Sequence, residues 1–131
     1  MKRDGVTRVC YVEDSPGVRA RVLMELARIG DIEVVGWSEC SRGAISLIRQ
    51  LRPDLVVLDV QLAEGSGVDV LRACGGEGAP VMMMLSNRSD SFSRELCLRA
   101  GARHFFDKST EFEEFLAVVK VFCAARRAVM V

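Results

Sequence analysis

The chain has few of the residues from which metal centres, disulfide frameworks and nucleic-acid interfaces are usually built. Its 131 residues include one histidine, five cysteines without a C-x-x-C pair, and 18 basic residues balanced by 18 acidic ones. Dispersed cysteines without histidine partners argue against a zinc site or a disulfide framework and favour reduced thiols. The net charge of zero gives no electrostatic case for direct nucleic-acid binding.

Long apolar runs are also missing from the sequence. The start of the chain reaches acidic residues before an apolar segment forms, which argues against a signal peptide, and no run approaches the length of a membrane span. Half of the residues are nevertheless apolar, which is enough for the core of one domain. We therefore expect a soluble cytoplasmic protein with a single domain over residues 1–131 and no membrane contact.

Short apolar runs alternate with segments whose apolar residues recur at helical spacing. The run Leu55-Val56-Val57-Leu58, between Pro-Asp and a Gly/Ser loop, is typical of a strand buried on both faces of a parallel sheet. The pattern predicts strands over 9–12, 32–37, 55–59, 81–85 and 103–106, and helices over 16–29, 42–52, 68–74, 91–100 and from 110 onward.

This alternation predicts an α/β fold with one doubly wound, five-stranded parallel sheet and helices on both faces. Of the common doubly wound orders, 2-1-3-4-5 suits five strands, although periodicity alone leaves the order open. Ser15-Pro16 is a helix start and Gly30 a helix stop. Thr110 and Glu113 match a capping box at the start of the last helix.

Candidate functional residues end or follow four of the five predicted strands. Because the carboxyl ends of parallel strands share one edge, these residues are expected to meet there: Glu13, Asp14, Asp59, Ser86 and Lys108. The glycine cluster over 75–78 follows a helix, lies at the opposite edge and lacks the spacing of a phosphate loop, so it is predicted to be a turn.

The clustered groups suit phosphoryl chemistry on a carboxylate. Converging acids need a proton or a cation to compensate their charge, and an oxygen-only donor set favours Mg²⁺, with Mn²⁺ as a substitute. Lys108 and Ser86 would contact phosphoryl oxygens, and Asp59 is the candidate nucleophile. Each residue alone has an ordinary structural explanation, such as a helix cap or a solvated lysine. The constellation favours the functional interpretation.

At this point the chain resembles a response-regulator receiver domain, which has a flavodoxin-like fold. The match consists of Glu13-Asp14, Asp59 after DLVVL, Gly67, Ser86 after VMMML, and Lys108 after GARHFFD. The resemblance implies phosphorylation of Asp59 by a histidine kinase or a histidine phosphotransfer protein. It also implies a metal site with Asp14 as direct ligand, Glu13 acting more through water, Asp59, and the backbone carbonyl of Gln61.

The resemblance further implies a switch and a control of phosphoryl lifetime. Ser86 and Phe105 match the switch positions, and the surface made by the fourth helix, fifth strand and fifth helix would change with them. Gln61 and Arg88 match the positions that tune phosphoryl lifetime. The output would pass to an unknown downstream protein, and this same surface would support a homodimer.

Three residues depart from the family pattern. Ala63 replaces a usual proline, which is expected to leave its loop freer. Ser109 replaces another, so a trans peptide, or a strained one, is expected after Lys108. Trp37, the single tryptophan, ends the second strand and is expected to report poorly on phosphorylation.

Other classes of protein remain open at this stage. One is a receiver that docks without phosphorylation, or the receiver fragment of a larger regulator. Another is a magnesium-dependent phosphatase or phosphotransferase with an aspartyl intermediate, but such hydrolases usually place a second acid where this chain has Gln61. We therefore expect a signalling domain and not an enzyme.

Overall fold

Five strands and five helices alternate along the chain in the computed structural model, which describes residues 5–130. The elements are β1 (Thr7–Val12), α1 (Pro16–Ile29), β2 (Ile32–Ser38), α2 (Ser41–Leu51), β3 (Leu55–Leu58), α3 (Gly67–Cys74), β4 (Val81–Ser86), α4 (Ser91–Arg99), β5 (His104–Asp107) and α5 (Phe112–Met130). All strand pairs are parallel, and the order in the sheet is β2-β1-β3-β4-β5. The predicted fold class and strand order are confirmed.

The central strand β3 divides the hydrophobic core into two parts. Leu55 and Val57 pack with α1 and α5 on one face, whereas Val56 and Leu58 pack with α2, α3 and α4 on the other. All four side chains are fully buried. Their alternation is the period of two that strand geometry imposes, and burial on both faces explains why the run has no polar residue.

Strand ends extend beyond the predicted apolar runs. β1 begins at Thr7, β2 reaches Ser38, and β5 ends at Asp107. Ladder hydrogen bonds join backbone groups and place no requirement on side-chain polarity, so a sheet can continue where the apolar pattern stops. Asp59, predicted as the last residue of its strand, lies just beyond β3.

The predicted caps of α1 are confirmed, whereas the predicted capping box of α5 is not formed and that of α3 was not predicted. Ser15 caps α1 by accepting a bond from Val18, and Gly30 ends this helix with a positive φ of 76°. The capping box predicted at Thr110 and Glu113 is wrong, because α5 begins at Phe112. A capping box that the sequence reading missed opens α3, where Ser66 and Asp69 exchange hydrogen bonds of 3.0 and 3.4 Å.

The β3–α3 loop packs closely against the end of β3. A Cβ atom on Gly67 would lie 2.2 Å from the carbonyl oxygen of Asp59, so only glycine fits this position without a backbone shift. Over residues 5–130 every peptide bond is trans, including the one after Lys108. Within the same range, no helix combines the length and the apolar character needed to span a membrane.

Candidate functional site

The sheet ladder holds the functional residues in place at the carboxyl edge. The amide of Asp59 donates to the carbonyl of Val12 at 3.1 Å, and that of Lys108 donates to the carbonyl of Ser86 at 3.0 Å. Each bond continues a parallel ladder one residue past its strand. The backbone on which these side chains stand is therefore as fixed as the sheet itself.

The Asp59 carboxylate is buried and receives donors on both oxygens. Oδ1 accepts from the Ser86 hydroxyl at 2.5 Å and from the amides of Val60 and Gln61 at 2.6 and 3.3 Å. Oδ2 accepts from Lys108 Nζ at 2.7 Å. This set of donors stabilises the ionised carboxylate and orients it.

Lys108 joins two acids from different strands. Its ammonium lies 2.6 Å from Glu13 Oε1 and 2.7 Å from Asp59 Oδ2, and only 12% of its side chain is exposed. Burial lowers the pKa of Lys108, but the hydrogen bonds to Asp59 and Glu13 outweigh that effect and raise it above the ordinary value. The lysine therefore remains a compact positive charge beside Asp59.

Both carboxylate oxygens of Glu13 already accept hydrogen bonds from other residues of the chain. Its side chain is 1% exposed, and Oε1 accepts from both Lys108 and the Tyr11 hydroxyl, at 2.6 and 3.2 Å. Oε2 accepts from the amide of Ser15 at 3.2 Å. Asp14, by contrast, is partly exposed on the wall of the cleft above Asp59.

The cleft suits a hard divalent cation. Its lining consists of Glu13, Asp14, Ser15, Val18, Asp59, Gln61, Ser86, Asn87, Arg88 and Lys108. Within residues 5–130, no three histidine, cysteine, aspartate or glutamate side chains form a ready-made metal cage. Mg²⁺ is commonly held by one or two carboxylates and several waters, so Asp14 and Asp59 suffice as charged donors.

Both switch candidates, Ser86 and Phe105, are buried. Ser86 is fully buried; its hydroxyl donates to Asp59 and accepts from the amide of Arg88 at 3.0 Å. Phe105 is buried, within the part of the core formed by α2, α3 and α4. The hydroxyl and the aromatic ring thus occupy inward positions together.

Arg94 fixes the surroundings of Phe105, a role that the sequence did not reveal. Its guanidinium lies 5.0 Å from the Phe105 ring and donates to the carbonyl of that residue at 3.3 Å. It also donates to the Ser89 carbonyl at 2.9 Å and to the Glu111 carboxylate at 2.6 Å. One side chain thereby links the β4–α4 loop, β5 and the start of α5.

Ala63 and Ser109 stand where the family usually has proline, and the backbone amide of each donates a hydrogen bond that proline could not make. The amide of Ala63 donates to the Glu39 carbonyl at 3.0 Å, a bond that proline could not make, so the loop expected to be freer is tied to the β2–α2 loop. The amide of Ser109 donates to Asp107 Oδ1 at 2.8 Å, and its hydroxyl donates to Asn87 Oδ1 at 2.8 Å.

Tyr11 and Arg19 are further contacts of the acidic pair that sequence reasoning missed. The Arg19 guanidinium donates to the Glu13 carbonyl at 3.0 Å and stacks 3.7 Å from the ring of Trp37. A tyrosine inside an apolar strand cannot be told from an ordinary core aromatic by pattern. The available signal was its position two residues before Glu13, which puts both side chains on one face of the strand.

Comparisons with known proteins agree with this geometry. A sequence model of the response regulator receiver domain matches residues 9–120. The response regulator GacA of Pseudomonas aeruginosa is 28% identical over 92% of this chain, which spans 56% of that relative. The receiver domain of NarL from Mycobacterium tuberculosis superposes with a TM-score of 0.81 at 25% identity, covering 91% of this chain and 97% of that one.

A third neighbour shares the fold at lower identity. It is the receiver domain of the sensor histidine kinase PA1611 from Pseudomonas aeruginosa, with a TM-score of 0.77, 20% identity, and coverage of 91% of this chain and 98% of that one. That structure is described as having a magnesium ion coordinated in its active-site cleft. Since the family match covers residues 9–120, which include most of the sheet and of its helices, the chain belongs to the response regulator receiver domain family of two-component signalling.

Proposed function

We propose that this receiver domain accepts a phosphoryl group on Asp59 from a histidine kinase or a histidine phosphotransfer protein, in a reaction that needs Mg²⁺. One observation carries the proposal: the Asp59 carboxylate is held by Lys108 and Ser86 at the base of a solvent-accessible cleft. A purely structural ion pair would not need a cleft lined by further polar and charged groups.

The residues of the chain have distinct parts in this step. An oxygen of Asp59 attacks the phosphorus of a phosphohistidine, an O–P bond forms, the P–N bond breaks, and the imidazole leaves with the electron pair of that bond. Lys108 and Ser86 already bond the carboxylate. They would bond the phosphoryl oxygens as negative charge develops there during the transfer. The product is an acyl phosphate.

Bound Mg²⁺ would neutralise charge on the incoming phosphoryl group. Asp14 and Asp59 are the charged donors that fit it, and we assign the third protein ligand to the backbone carbonyl of Gln61. Glu13 would act through water, since its oxygens bond Lys108, Tyr11 and Ser15. The magnesium in the PA1611 receiver is a property of that protein, and for this chain the proposal rests on the oxygen donors in the cleft.

We assign the output to the surface formed by α4, β5 and α5. Because the Ser86 hydroxyl already bonds Asp59 and Phe105 is already buried, phosphate on Asp59 would stabilise this inward arrangement of both side chains over an outward one, as a shift between two populations. Arg88 and Gln61 line the cleft from which water would approach the acyl phosphate, which supports a role in setting its lifetime. A downstream protein, or a second copy of the chain, would read this surface.

The test is phosphorylation by acetyl phosphate, with and without Mg²⁺, followed by intact-protein mass spectrometry. The wild type is expected to gain one phosphoryl group only with Mg²⁺, and Asp59→Asn is expected to gain none. Asp54→Asn is the matched control, because Asp54 immediately precedes the same strand at its other end. It is expected to be phosphorylated like the wild type.

Other outcomes would point to other functions. An adduct that persists in Asp59→Asn would mean that the nucleophile is a different residue. An absence of any adduct, although Mg²⁺ binds, would favour a receiver that docks without phosphorylation. Continuous release of phosphate with many turnovers would instead indicate a phosphatase.

A further inference from the structure

We propose that Tyr11 is a positioning residue of the phosphorylation site. Its buried hydroxyl fixes Glu13, and Glu13 in turn holds Lys108 at Asp59. The inference rests on the proposed function and assigns a role to a residue of the core. Its consequence is that loss of a single hydroxyl slows phosphoryl transfer and at the same time strengthens Mg²⁺ binding.

The Tyr11 hydroxyl contacts the acid that holds Lys108. Tyr11 is 0% exposed and stands on β1 between Trp37 of β2 and Val57 of β3. Its hydroxyl lies 3.2 Å from Glu13 Oε1, the same oxygen that Lys108 contacts at 2.6 Å. The tyrosine and the lysine therefore share one acceptor.

A packing role alone does not account for the hydroxyl. The ring packs in the part of the core formed with α1 and α5, where phenylalanine would bury similar apolar area. A buried hydroxyl is costly unless it finds a partner, and Glu13 is the partner here.

The shared oxygen couples Tyr11 to Asp59. With both donors in place, Glu13 keeps one orientation and Lys108 is held between Glu13 Oε1 and Asp59 Oδ2. Without the hydroxyl, Glu13 can turn toward a cation in the cleft, and Lys108 loses one of its two fixed anchors. Mg²⁺ then gains a better ligand, whereas the incoming phosphoryl group meets a less ordered lysine.

The test compares Tyr11→Phe with a matched loss of another buried hydroxyl on the same strand. Thr7→Val removes a hydroxyl from β1 that is also 0% exposed but bonds Arg126 at the opposite edge of the sheet. We expect Tyr11→Phe to slow phosphorylation by acetyl phosphate about three- to tenfold at saturating Mg²⁺, the equivalent of one hydrogen bond. We expect its Mg²⁺ dissociation constant, measured by calorimetry without phosphodonor, to fall about two- to fivefold.

The opposite directions of these two effects separate positioning from general damage. Damage to the fold would weaken Mg²⁺ binding and slow transfer together, and Thr7→Val should change neither. Wild-type behaviour of Tyr11→Phe in both assays, or equal effects of the two variants, would overturn the proposal. If the wild type forms no phosphoryl adduct, the proposed function fails, and the Mg²⁺ constants alone then decide for or against the role of Tyr11.

A spectroscopic measurement checks the bond itself. Tyr11 is the single tyrosine of the chain, so its near-UV absorbance reports one phenol. Mg²⁺ is expected to leave the tyrosine band of the wild type unchanged, because Glu13 keeps its bond to the hydroxyl when the cation binds; a Mg²⁺-induced shift would contradict the proposal. Glu13→Gln without Mg²⁺ should shift the band, since the phenol then loses its charged acceptor, and a band identical to that of the wild type would also contradict the proposal.

Discussion

The two edges of the sheet contain similar charged groups arranged for different purposes. At the carboxyl edge Lys108 bonds Glu13 and Asp59. At the amino edge Arg126 pairs with Asp54 at 3.1 Å, and Asp54 also accepts from the backbone amide of Arg8 at 2.8 Å. Both are ion pairs between distant parts of the chain.

The difference lies in charge balance and in what remains free to react. At the amino edge arginines outnumber the acid, since Arg49 and Arg52 line the same cavity as Asp54 and Arg126. Arg126 also donates to the carbonyl of Val6 and the hydroxyl of Thr7. At the carboxyl edge three acids face the cleft, and in the described part of the chain no ion pair involves Asp14. The amino-edge joint, made by Arg126 and Asp54, lies among an excess of positive charge, whereas the carboxyl edge has a surplus of negative charge that favours a cation.

Removal of the central cation should have the largest effect. Lys108→Met would leave two buried carboxylates without their partner, so we expect the free energy of unfolding to fall by about 3–5 kcal/mol in metal-free buffer. Urea unfolding measures this change. Addition of Mg²⁺ should restore part of the loss, because a bound cation stabilises the folded state. A loss below about 1 kcal/mol, the usual value for surface pairs, would mean that the cluster is solvated like the surface.

Removal of the Arg94 contacts should have the next largest effect. Arg94→Gln removes charge-assisted bonds to Glu111 and to two backbone carbonyls, and we expect a loss of about 1.5–3 kcal/mol in urea unfolding. NMR of the Phe105 ring should also show greater mobility. Arg99→Gln is the control on the same helix; its pair with Glu95 is highly exposed and worth about 0.5 kcal/mol or less. Equal losses of unfolding free energy in both variants would contradict a stabilising role of the Arg94 contacts.

Pattern and topology were enough to predict most of the site. Buried apolar runs predicted the strands, and the parallel arrangement brings the residues that follow them to one edge. The structure accordingly places Glu13, Asp59, Ser86 and Lys108 in direct contact. No knowledge of side-chain geometry was needed for this result, because strand ends in a parallel sheet meet by construction.

Side-chain partners chosen by tertiary contacts could not be predicted in this way. Ser66–Asp69 and Thr110–Glu113 carry the same kind of capping pattern, yet only the first forms a capping box. At the second, Asp107 takes the amide of Thr110, and the helix begins two residues later. The choice depends on residues outside the motif, which a local pattern does not contain.

The same limit applies to the acceptors and donors inside the site. Glu13 was expected to face a metal through water, and its bonds to Lys108 and Tyr11 were not foreseen. Arg94 of α4 pairs with Glu111, which lies just before α5, at a separation that has no helical or strand period. Such contacts follow from how elements pack, and sequence periodicity carries no record of that packing.

Disruption of the amino-edge joint should have a smaller effect than either change at the carboxyl edge. Arg126→Met keeps most of the apolar stem and removes a partly exposed pair, so we expect a loss of about 1 kcal/mol in urea unfolding. Phosphorylation by acetyl phosphate should proceed at the wild-type rate. A slower rate in this variant would mean that the two edges are coupled through the sheet.

The smallest effect is expected at low pH, from Asp107 at the surface of the carboxyl edge. The Ser89 hydroxyl, followed by the amides of Thr110 and Ser109, lowers the pKa of Asp107 from 3.8 to about 2. Since the unfolded chain takes up this proton at higher pH than the folded one, the stabilisation is complete above about pH 4 and is lost as the pH falls toward 2.

Acid titration of stability tests this assignment. Asp107→Asn should show a shallower loss of stability between pH 4 and pH 2 than the wild type, because it has no carboxylate to protonate at this position. Ser89→Ala removes the largest cause of the lowered pKa, so the acid loss should be smaller than in the wild type and should end at a higher pH. Identical acid profiles for all three proteins would place the acid sensitivity at residues other than Asp107 and would contradict the assignment.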